Sequence, residues 1–292
     1  MVDFSESKDL AVSLRNLDLI EAFGSAVQDI KLFRHPLLGK VLIIDNEVQH
    51  IENWQPLYHE PLVHVPAAFV RDIETVLILG GGSLFAAAEA LRYPSVERCV
   101  LVDHDRSVLA LMARHYEHVD KVLSDKRFEH ISYDAIEFMR QTDQRFDLVI
   151  NDCFDAVSIS RKTRESVFQL MTQKTTSTGV CSDLIYRHLF ESSYISATRQ
   201  ALELHRPYGL SLISVPEYPG VLHVLAFWGP SVSQDCRLPH NNVQRSWCEG
   251  GIPKELRFFN PAFLAFHLYI PPYLKRIWIG SSDESATEAK LV

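Results

Sequence analysis

The chain has 292 residues, of which 47% are hydrophobic and 23% charged, enough to bury the core of one large domain or of a large and a small one. Its formal net charge of −8 argues against a polyanion as the main partner, because phosphate binding normally needs clustered Lys and Arg. We therefore expect a small or cationic ligand and no nucleic acid.

The cysteines and the first residues indicate a compartment. The five cysteines are scattered and include no C-x-x-C pair, which is typical of reduced thiols rather than of a disulfide framework or a zinc site. The stretch "MVDFSESKDLAVSLRN" is acidic where a signal peptide is basic, and no long apolar stretch follows. We expect a cytoplasmic protein with no metal site and no membrane partner.

The first predicted elements form a small β-rich unit. Short apolar stretches run from residue 26 to residue 49, with turns predicted at "PLLGK" and at Asp45-Asn46. This pattern is typical of a small antiparallel sheet. We therefore expect an N-terminal β-rich domain over residues 1–62.

From Thr75 onward, strand patterns alternate with helix patterns. Apolar runs such as "TVLILG", "RCVLVDHD" and "FDLVIND" are each followed by a helix-forming stretch, and strands buried on both faces between helices are typical of a doubly wound α/β layer. The runs "GLSLISVPEYPG" and "VLHVLAFWG" predict an antiparallel pair that closes the sheet. We expect a Rossmann-like domain over residues 63–280 and a disordered tail over residues 281–292.

A glycine-rich turn at the end of the first strand of this layer is the first candidate binding feature. Gly80, Gly81 and Gly82 lie between a strand and a helix, where they can take positive φ and present backbone N–H groups to a ligand. The G-x-G-x-x-G fingerprint is incomplete, because Phe85 stands where its last glycine belongs. The turn therefore predicts either a ligand site or a turn that only lets helix and strand pack.

Carboxylates follow the next two strands. The run "VLVDHD" ends in two carboxylates, Asp103 and Asp105, roughly twenty residues after the glycines, where a carboxylate can accept two hydrogen bonds from a ribose diol, and Asp103 is the candidate. Asp134, in "SYDAIEF", falls at the same sheet edge and can receive the exocyclic amine of adenine. The alternative for both residues is a role as helix N-caps. Together with the glycine turn they outline an adenosine pocket.

The order of these motifs resembles the spermidine synthase and polyamine aminopropyltransferase family. The similarity runs from about residue 42 to residue 275 and rests on "LIIDNEVQHIENWQPLYHEPLVHVP", "VLILGGG", "VDHD", "YDAIEF", "FDLVINDCFD", "VPEYP" and "LRFFNP". It implies an α/β fold with a Rossmann-like sheet of the S-adenosylmethionine-dependent methyltransferase type, preceded by a small antiparallel β domain. It also implies a homodimer or homotetramer.

The resemblance implies roles for individual side chains. The donor nucleoside and the chain on its sulfur would be bound by Gln49, His59, Gly80, Gly81, Gly82, Ser83, Asp103 and Asp134. The acceptor amine would be surrounded by the catalytic residues Tyr58, Asp152, Asp155 and Tyr218. No permanently bound cofactor is implied, because S-adenosylmethionine or its decarboxylated form acts as co-substrate.

The chemistry of alkyl transfer supports the acceptor group independently. An amine with a pKa of about 10 is almost fully protonated at neutral pH and must lose that proton before it attacks a sulfonium carbon. A carboxylate at a strand end can take the proton and stabilise the positive charge that develops on nitrogen. We expect Asp152 to be this base, with Asp155 and the tyrosine hydroxyls positioning the amine. A capped turn is the alternative explanation of "NDCFD".

The sequence departs from the family pattern at several positions. Where the family has G-G-G-D-G, Ser83 and Leu84 replace the last two residues, which removes an anion from the donor pocket. Where it has a Q-G-E stretch, this chain has Leu184, Ile185 and Tyr186. The segment after Asp155 contains basic residues that are either solvated surface or face the site. These are Arg161, Lys162 and Arg164.

Three functions are compatible with these observations. The first is a spermidine synthase-like transfer of an aminopropyl-type group from decarboxylated S-adenosylmethionine, or a related sulfonium, to an amine, which releases methylthioadenosine. The second uses intact S-adenosylmethionine and transfers a 3-amino-3-carboxypropyl or methyl group to a non-polyamine acceptor. The third is a non-catalytic paralogue that binds an adenosyl ligand. Ser83 favours the second function, and the acceptor set favours the first.

Overall fold

The computed structural model describes residues 2–5, 11–153, 160–186, 192–205, 207–215, 223–232, 255–260 and 264–279. Within these ranges the strands form three sheets of two, four and seven strands. The two-stranded sheet pairs β1 (Val2–Ser5) with β2 (Ala11–Leu14), and neither strand was expected from the sequence. The predicted tail over residues 281–292 lies outside the described residues.

The four-stranded sheet is antiparallel throughout and matches the predicted β-rich unit. Its strands are β3 (Asp18–Gly24), β4 (Asp29–His35), β5 (Gly39–Ile44) and β6 (Glu47–Ile51). The turn predicted at Asp45-Asn46 is confirmed, since both residues have positive φ, 50° and 66°, as a two-residue hairpin requires. β3 lies wholly before residue 26, where the predicted pattern begins, and was not expected from the sequence.

The seven-stranded sheet has the order β12-β13-β11-β10-β7-β8-β9. Its strands are β7 (Thr75–Gly80), β8 (Arg98–Val102), β9 (Phe128–Ile131), β10 (Phe146–Asp152), β11 (Thr175–Tyr186), β12 (Tyr208–Ile213) and β13 (His223–Trp228). The five strands from β7 to β11 pair in parallel, whereas β13 pairs antiparallel with both β11 and β12. The predicted fold class, including the closing antiparallel pair, is confirmed.

Helices connect these strands. They are α1 (Gln55–Ala67), α2 (Phe85–Ala90), α3 (Arg106–His115), α4 (Glu117–Ser124), α5 (Ala135–Gln141), α6 (Arg161–Gln173), α7 (Ser192–Glu203), α8 (Leu264–His267) and α9 (Pro272–Ile279). None of the helices in the described ranges combines the length and apolar character that crossing a bilayer requires. Helix α4 was not expected from the sequence, and position 62, where we expect a domain boundary, lies inside α1.

Alternate residues of the central strands enter two different cores. Val76 and Ile78 of β7 belong to one cluster, which includes residues of α1, α2 and α3, and Leu77 and Leu79 belong to another, which includes residues of α5 and α6. Successive side chains of a strand point to opposite faces of the sheet. Both faces are therefore covered, which explains why the sequence of β7 is a continuous apolar run.

The order of the strands in the seven-stranded sheet indicates where a ligand binds. From β7 the chain moves outward through α2 to β8 and β9, whereas β10 lies on the other side of β7. The strand order thus reverses between β7 and β10. In open α/β sheets, ligands bind outside the carboxyl ends of the strands at such a reversal.

Candidate active site

A cavity of about 500 Å³ lies at the carboxyl ends of β7, β8, β10 and β11. Residues of β5 and β6 form another part of its wall, so both the four-stranded and the seven-stranded sheet contribute to it. The structure brings together nine of the residues selected from the sequence on this wall. They are Gln49, Tyr58, His59, Gly80, Gly81, Gly82, Ser83, Asp103 and Asp152.

The glycine turn packs directly against the end of β10. Gly80 and Gly81 have φ values of 74° and 75°, in the left-handed region that favours glycine. A Cβ atom added to Gly81 would lie 2.8 Å from Oδ2 of Asp152. Glycine is therefore required here both for the backbone conformation and for the approach of the turn to Asp152.

Asp103 holds the glycine turn in place. Its Oδ2 accepts a hydrogen bond from the backbone N–H of Gly82 at 3.1 Å, and its Oδ1 accepts one from the N–H of Asp105 at 2.9 Å. The carboxylate lies on the cavity wall, as the predicted ribose contact requires. Each oxygen keeps a second lone pair that a ligand hydroxyl can use.

Ser83 and Leu84 show how the turn tolerates the loss of a charge and of a glycine. The carbonyl oxygen of Ser83 accepts a hydrogen bond from Nε2 of His118 at 2.9 Å. Leu84 has φ 62° and is fully buried. A left-handed non-glycine residue costs about 1–2 kcal/mol, and burial of a leucine side chain contributes about 2 kcal/mol. Core packing thus offsets the strain at the position where the family motif has glycine.

Asp152 is a buried carboxylate at the end of β10. Its side chain is 9% exposed, and its Oδ1 accepts a hydrogen bond from the Tyr58 hydroxyl at 3.0 Å. Burial raises the pKa of Asp152 to about 7, the Tyr58 hydrogen bond lowers it, and the charge of Asp103 raises it further. A carboxylate with a pKa near neutrality is matched to proton transfer at physiological pH.

His59 approaches Asp152 without forming an ion pair with it. Nε2 of His59 lies 4.0 Å from Oδ2 of Asp152, and Nδ1 donates a hydrogen bond to the carbonyl oxygen of Gln55 at 3.1 Å. Burial lowers the pKa of His59 to about 4, so the ring is neutral at pH 7. Because Nδ1 carries the proton, Nε2 presents a lone pair that can accept a hydrogen bond from a ligand.

His59 belongs to a cluster of three imidazoles around Phe85, of which His50 and His59 are buried and His118 is half-buried. The ring of Phe85 stacks on His118 with centroids 4.0 Å apart and contacts His50 at 4.5 Å and His59 at 5.2 Å. Burial, followed by mutual repulsion, lowers the pKa of His50 well below its usual value, and burial also lowers that of His118. Of these rings, His50 and His59 line the cavity, where they form an uncharged, polarisable part of the wall.

A β-bulge presents Gln49 to the cavity. Ile43 pairs with Val48 and Leu42 pairs with His50, so Gln49 is the extra residue of β6 between these two pairs. Gln49 is exposed and lines the cavity, whereas His50 is buried behind it. A local register shift therefore places Gln49, which we expect to contact the donor substrate, on the cavity wall.

Three predicted site residues are not among the described residues of the cavity wall: Asp134, Asp155 and Tyr218. Asp134 is the N-cap of α5, and its Oδ1 accepts a hydrogen bond from the N–H of Glu137 at 2.8 Å, as the alternative explanation expected. Asp134 is not among the described residues of the cavity wall, and its adenine contact stays a prediction. Asp155 and Tyr218 lie outside the described residues.

Three further wall residues were not selected from the sequence. Asn151 precedes Asp152 and is 2% exposed; its Oδ1 accepts a hydrogen bond from the N–H of Cys153 at 3.2 Å. Its Nδ2 donates to Oδ1 of Asp183, on β11, at 2.9 Å. His223, at the start of β13, is fully buried. A polar residue in "GVCSDLIY" was the available sequence signal for Asp183.

The basic residues after Asp155 lie in the first turn of α6, not in a loop. Arg161 is exposed and forms an ion pair with Glu165 at 2.8 Å. Arg164 is buried, and its Nη1 donates a hydrogen bond to Oγ1 of Thr198 on α7 at 2.9 Å. Ser160 caps the helix by accepting the N–H of Thr163, which explains its start at Arg161. The charge of Arg164 therefore serves the packing of α6 against α7.

Helix α1 also fixes a distant segment. Glu60, which follows Tyr58 and His59, is 1% exposed. Its two oxygens accept hydrogen bonds from the backbone N–H groups of Arg257, Phe258 and Phe259 at 2.7–2.8 Å. Hydrogen bonds to a charged acceptor are the strong ones. One turn of α1 thus connects the cavity to residues 257–259.

Comparison with known proteins agrees with the geometry. The model of the spermine/spermidine synthase domain family matches residues 55–236, more than half of the chain. The chain belongs to this family. The resemblance inferred from the motifs is confirmed.

Curated relatives of the spermine/spermidine synthase family match most of the chain. The polyamine aminopropyltransferase of Serratia proteamaculans is 26% identical over 256 residues, which cover 85% of this chain and 86% of the relative. The polyamine aminopropyltransferase of Yersinia pestis is 25% identical over 256 residues, with 85% and 83% covered.

Solved structures of the family have the same fold. The crystal structure of spermidine synthase from Thermotoga maritima superposes with a TM-score of 0.78 at 22% identity and covers 89% of this chain and 87% of its own. A spermidine synthase in complex with the transition state analogue AdoDATO has a TM-score of 0.78 at 21% identity, with 89% and 88% covered.

Proposed function

We propose that the protein transfers an aminopropyl-type group from decarboxylated S-adenosylmethionine, or a related sulfonium, to an amine acceptor and releases methylthioadenosine. The observation that carries this proposal is the placement of Asp152, a buried carboxylate with a raised pKa, beside the glycine turn at the strand-order reversal. The family membership and the names of the curated relatives, polyamine aminopropyltransferases, support the same reaction.

The proposed mechanism assigns the proton to Asp152. The acceptor enters as an ammonium group and passes a proton to the Asp152 carboxylate, whose other contact is the Tyr58 hydroxyl. The free nitrogen lone pair then forms a bond to the propyl carbon while the bond from that carbon to sulfur breaks. The electron pair of that bond stays on sulfur, which leaves as a neutral thioether. A positioned base of this kind contributes roughly 10²–10⁴-fold to a rate.

The proposed donor site lies on the other side of Asp152. The glycine turn and Asp103 would hold the nucleoside and its ribose, and Gln49 and Nε2 of His59 would contact the chain on sulfur. Asp134, Asp155 and Tyr218 keep the roles that the family resemblance implies. All of these assignments are proposals for mutagenesis.

The charges of the cavity wall support a cationic donor. Five carboxylates line the described wall, and no lysine or arginine does; the acidic residues are Asp45, Glu47, Asp103, Asp152 and Asp183. Such a wall attracts a sulfonium and an ammonium group and repels a carboxylate. This observation favours decarboxylated over intact S-adenosylmethionine.

Ser83 supports a second candidate. A neutral residue at this position removes repulsion toward a donor that keeps its carboxylate, which favours transfer of a 3-amino-3-carboxypropyl or methyl group from intact S-adenosylmethionine. A non-catalytic protein that binds an adenosyl ligand is the third candidate, and the raised pKa of Asp152 argues against it.

One assay separates the three candidates. The full chain is incubated with each donor and a panel of amines, and the products are identified by mass spectrometry. Methylthioadenosine from the decarboxylated donor, with an amine heavier by one aminopropyl group, supports the proposal. Products from the intact donor alone support the second candidate. Tight adenosyl binding by calorimetry without any product supports the third.

The assembly and the compartment are also proposals. We propose a homodimer or homotetramer in the cytoplasm. Two exposed leucines, Leu19 of β3 and Leu37 of the turn between β4 and β5, are 59% and 80% accessible and are suited to contact between subunits. The described cysteines Cys99, Cys153 and Cys181 are free thiols, which fits a reducing compartment. Light scattering of the purified chain tests the assembly.

A further inference from the structure

His118 contacts the glycine turn but has no role in the proposed mechanism. It lies in the first turn of α4, is half-buried, and is not among the described residues of the cavity wall. Its Nε2 donates a hydrogen bond to the carbonyl oxygen of Ser83 at 2.9 Å, and its ring stacks on Phe85 with centroids 4.0 Å apart. One imidazole thus contacts the residues on both sides of Leu84.

Leu84 takes a backbone conformation that is strained for any residue other than glycine. Its φ is 62°, and its N–H donates a hydrogen bond to the carbonyl oxygen of Gly81 at 2.8 Å, which closes a turn over residues 81–84. The strain is relieved if the peptide group between Ser83 and Leu84 rotates, because that rotation changes φ of Leu84. Burial of the Leu84 side chain does not prevent this, since rotation of one peptide group leaves the flanking Cα atoms nearly in place.

Two hydrogen bonds hold that peptide group in its observed orientation. The N–H of Leu84 bonds to Gly81, and the carbonyl oxygen of Ser83 bonds to His118. Rotation of the group breaks both bonds. A hydrogen bond and the strain of a left-handed residue have free energies of similar size, so loss of one bond shifts the equilibrium toward a rotated, relaxed turn. His118 therefore supplies one of these two restraints.

The orientation of this peptide group affects the surface that the glycine turn presents to a ligand. Gly80, Gly81, Gly82 and Ser83 all line the cavity, and rotation of the peptide group after Ser83 changes the shape of the turn that they form. The apparent affinity of a ligand falls in proportion to the fraction of protein in the conformation that binds it. A side chain outside the cavity can therefore set ligand affinity by holding the turn.

We propose that His118 is a positioning residue, which holds the peptide group between Ser83 and Leu84 in the orientation that binds the adenosyl ligand. This inference rests on the proposed function, in which the glycine turn holds the nucleoside. His118 acts through the backbone of the turn and not by contact with the ligand. Its effect is therefore on the donor and not on the amine acceptor.

Two variants of His118 separate the hydrogen bond from the ring contact. His118→Phe keeps a ring against Phe85 and removes the N–H donor, whereas His118→Gln keeps an N–H donor and removes the ring. We expect His118→Phe to raise the Kd for methylthioadenosine roughly tenfold, and His118→Gln to raise it less than about threefold, as expected for the loss of one hydrogen bond in the first variant only. Calorimetry on the full chain measures both values.

Leu84→Gly provides a rescue that a general packing defect would not show. Glycine removes the strain at position 84, so the turn no longer depends on His118 to the same degree. In the Leu84→Gly background we expect the effect of His118→Phe on the Kd for methylthioadenosine to fall from roughly tenfold to less than about threefold. In steady-state assays, His118→Phe alone should raise KM for the donor and leave KM for the amine unchanged. A general loss of structure would raise both KM values.

Tyr116→Phe is the matched control, because it removes a polar atom from the same aromatic cluster without removing a hydrogen bond. The Tyr116 ring lies 5.7 Å from that of His118, and its buried hydroxyl has no hydrogen-bond partner in the part of the chain that the structure describes. We expect this variant to bind methylthioadenosine as the wild type does.

The outcomes separate this inference from the proposed function. The inference is overturned if His118→Phe binds methylthioadenosine as tightly as the wild type, or if His118→Gln is the weaker of the two variants, which would assign His118 to packing against Phe85. If the wild-type protein neither binds methylthioadenosine nor releases it from any donor, the proposed function fails. If the wild type does both and the two variants lack the expected order, only this inference fails.

Discussion

Burial shifts the pKa values of titratable groups on the two walls of the cavity in opposite directions, and on both walls it favours the uncharged form. On the β10 side, burial raises the pKa of Asp152 to about 7, and on the side of α1 and α2 burial lowers the pKa of His59 to about 4. His50 and His118 shift in the same direction as His59. Removal of water disfavours the charged form of both kinds of group.

The difference shows which wall responds to a cation. The imidazoles carry no charge at neutral pH and offer only lone pairs and ring faces. Asp152 is poised between its two forms, and the approach of a sulfonium or ammonium favours its ionised form. In the proposed mechanism, a positively charged substrate thus favours the ionised form of Asp152, which is the form that acts as base, whereas the imidazoles stay uncharged.

The largest expected effect comes from removing the carboxylate of the responsive wall. Asp152→Asn keeps the shape of the side chain and an acceptor for the Tyr58 hydroxyl. We expect the rate of methylthioadenosine release to fall roughly 10²–10⁴-fold, because the proposed base is lost. Donor affinity, measured by calorimetry, should change less than twofold. An unchanged rate would remove Asp152 from the mechanism. Glu47→Gln is the control, because it removes one negative charge from an exposed position of the same cavity wall.

The same variant should alter the pH dependence of stability. The pKa of Asp152 is about 7 in the folded chain and about 3.9 in an unfolded one. The folded state therefore binds the proton more tightly, and its stability through this group is full below pH 4 and declines as pH rises to about 7.

We therefore expect Asp152→Asn to gain stability relative to wild type as pH rises. The difference in free energy of unfolding should grow by on the order of 3 kcal/mol between pH 4 and pH 8. The buried histidines act in the opposite sense over this range but are common to both proteins. Denaturant titrations at the two pH values measure the difference, and a constant difference would show that Asp152 has an ordinary pKa.

Gly81→Ala tests the approach of the glycine turn to Asp152. Gly81 has φ 75°, and a Cβ there would lie 2.8 Å from Oδ2 of Asp152. We expect a loss of roughly 1–3 kcal/mol of stability and a fall in turnover. Gly24→Ala is the matched control, because a Cβ at Gly24 meets nothing within 4 Å. Equal stability of the two variants in thermal unfolding would contradict the close contact.

The smallest expected effect concerns the donor wall. Ser83→Asp restores a carboxylate beside the proposed propyl chain, and we expect the ratio of affinities for decarboxylated over intact S-adenosylmethionine to rise roughly fivefold, about 1 kcal/mol. Ser83→Asn controls for size. Calorimetry with both donors measures the ratio. An unchanged ratio would mean that position 83 does not contact that part of the donor.

The site residues at the ends of parallel strands were the ones that the sequence predicted best. The glycine turn, Asp103 and Asp152 follow apolar runs, and parallel strands bring their carboxyl ends together whatever their exact lengths. Asp134 satisfies the same rule, yet the structure shows it as a helix cap. Asp accepts N–H groups of a helix as readily as those of a ligand, so residue type alone does not separate the two roles.

Other parts of the site depend on register and on neighbours that are distant in sequence. Gln49 faces the cavity because of a bulge between two residue pairs, which no local pattern indicates. Asp183 lies inside an apolar strand and reaches the cavity because β11 pairs with Asn151 of β10. The three histidines gather around Phe85 from β6, α1 and α4. Tertiary packing decides these contacts.

Through the carboxylate of Glu60, residues 257–259 help to hold in place the helix that carries Tyr58 and His59. A truncation before residue 257 would leave this buried anion without its three amide donors, one helical position from His59 and two from Tyr58. A buried carboxylate without hydrogen-bond donors strongly destabilises the folded state, so α1 would move or water would enter beside Glu60. Loss of residues 257–259 would then affect Asp152 through Tyr58, which lies on the same helix as Glu60 and donates a hydrogen bond to Asp152.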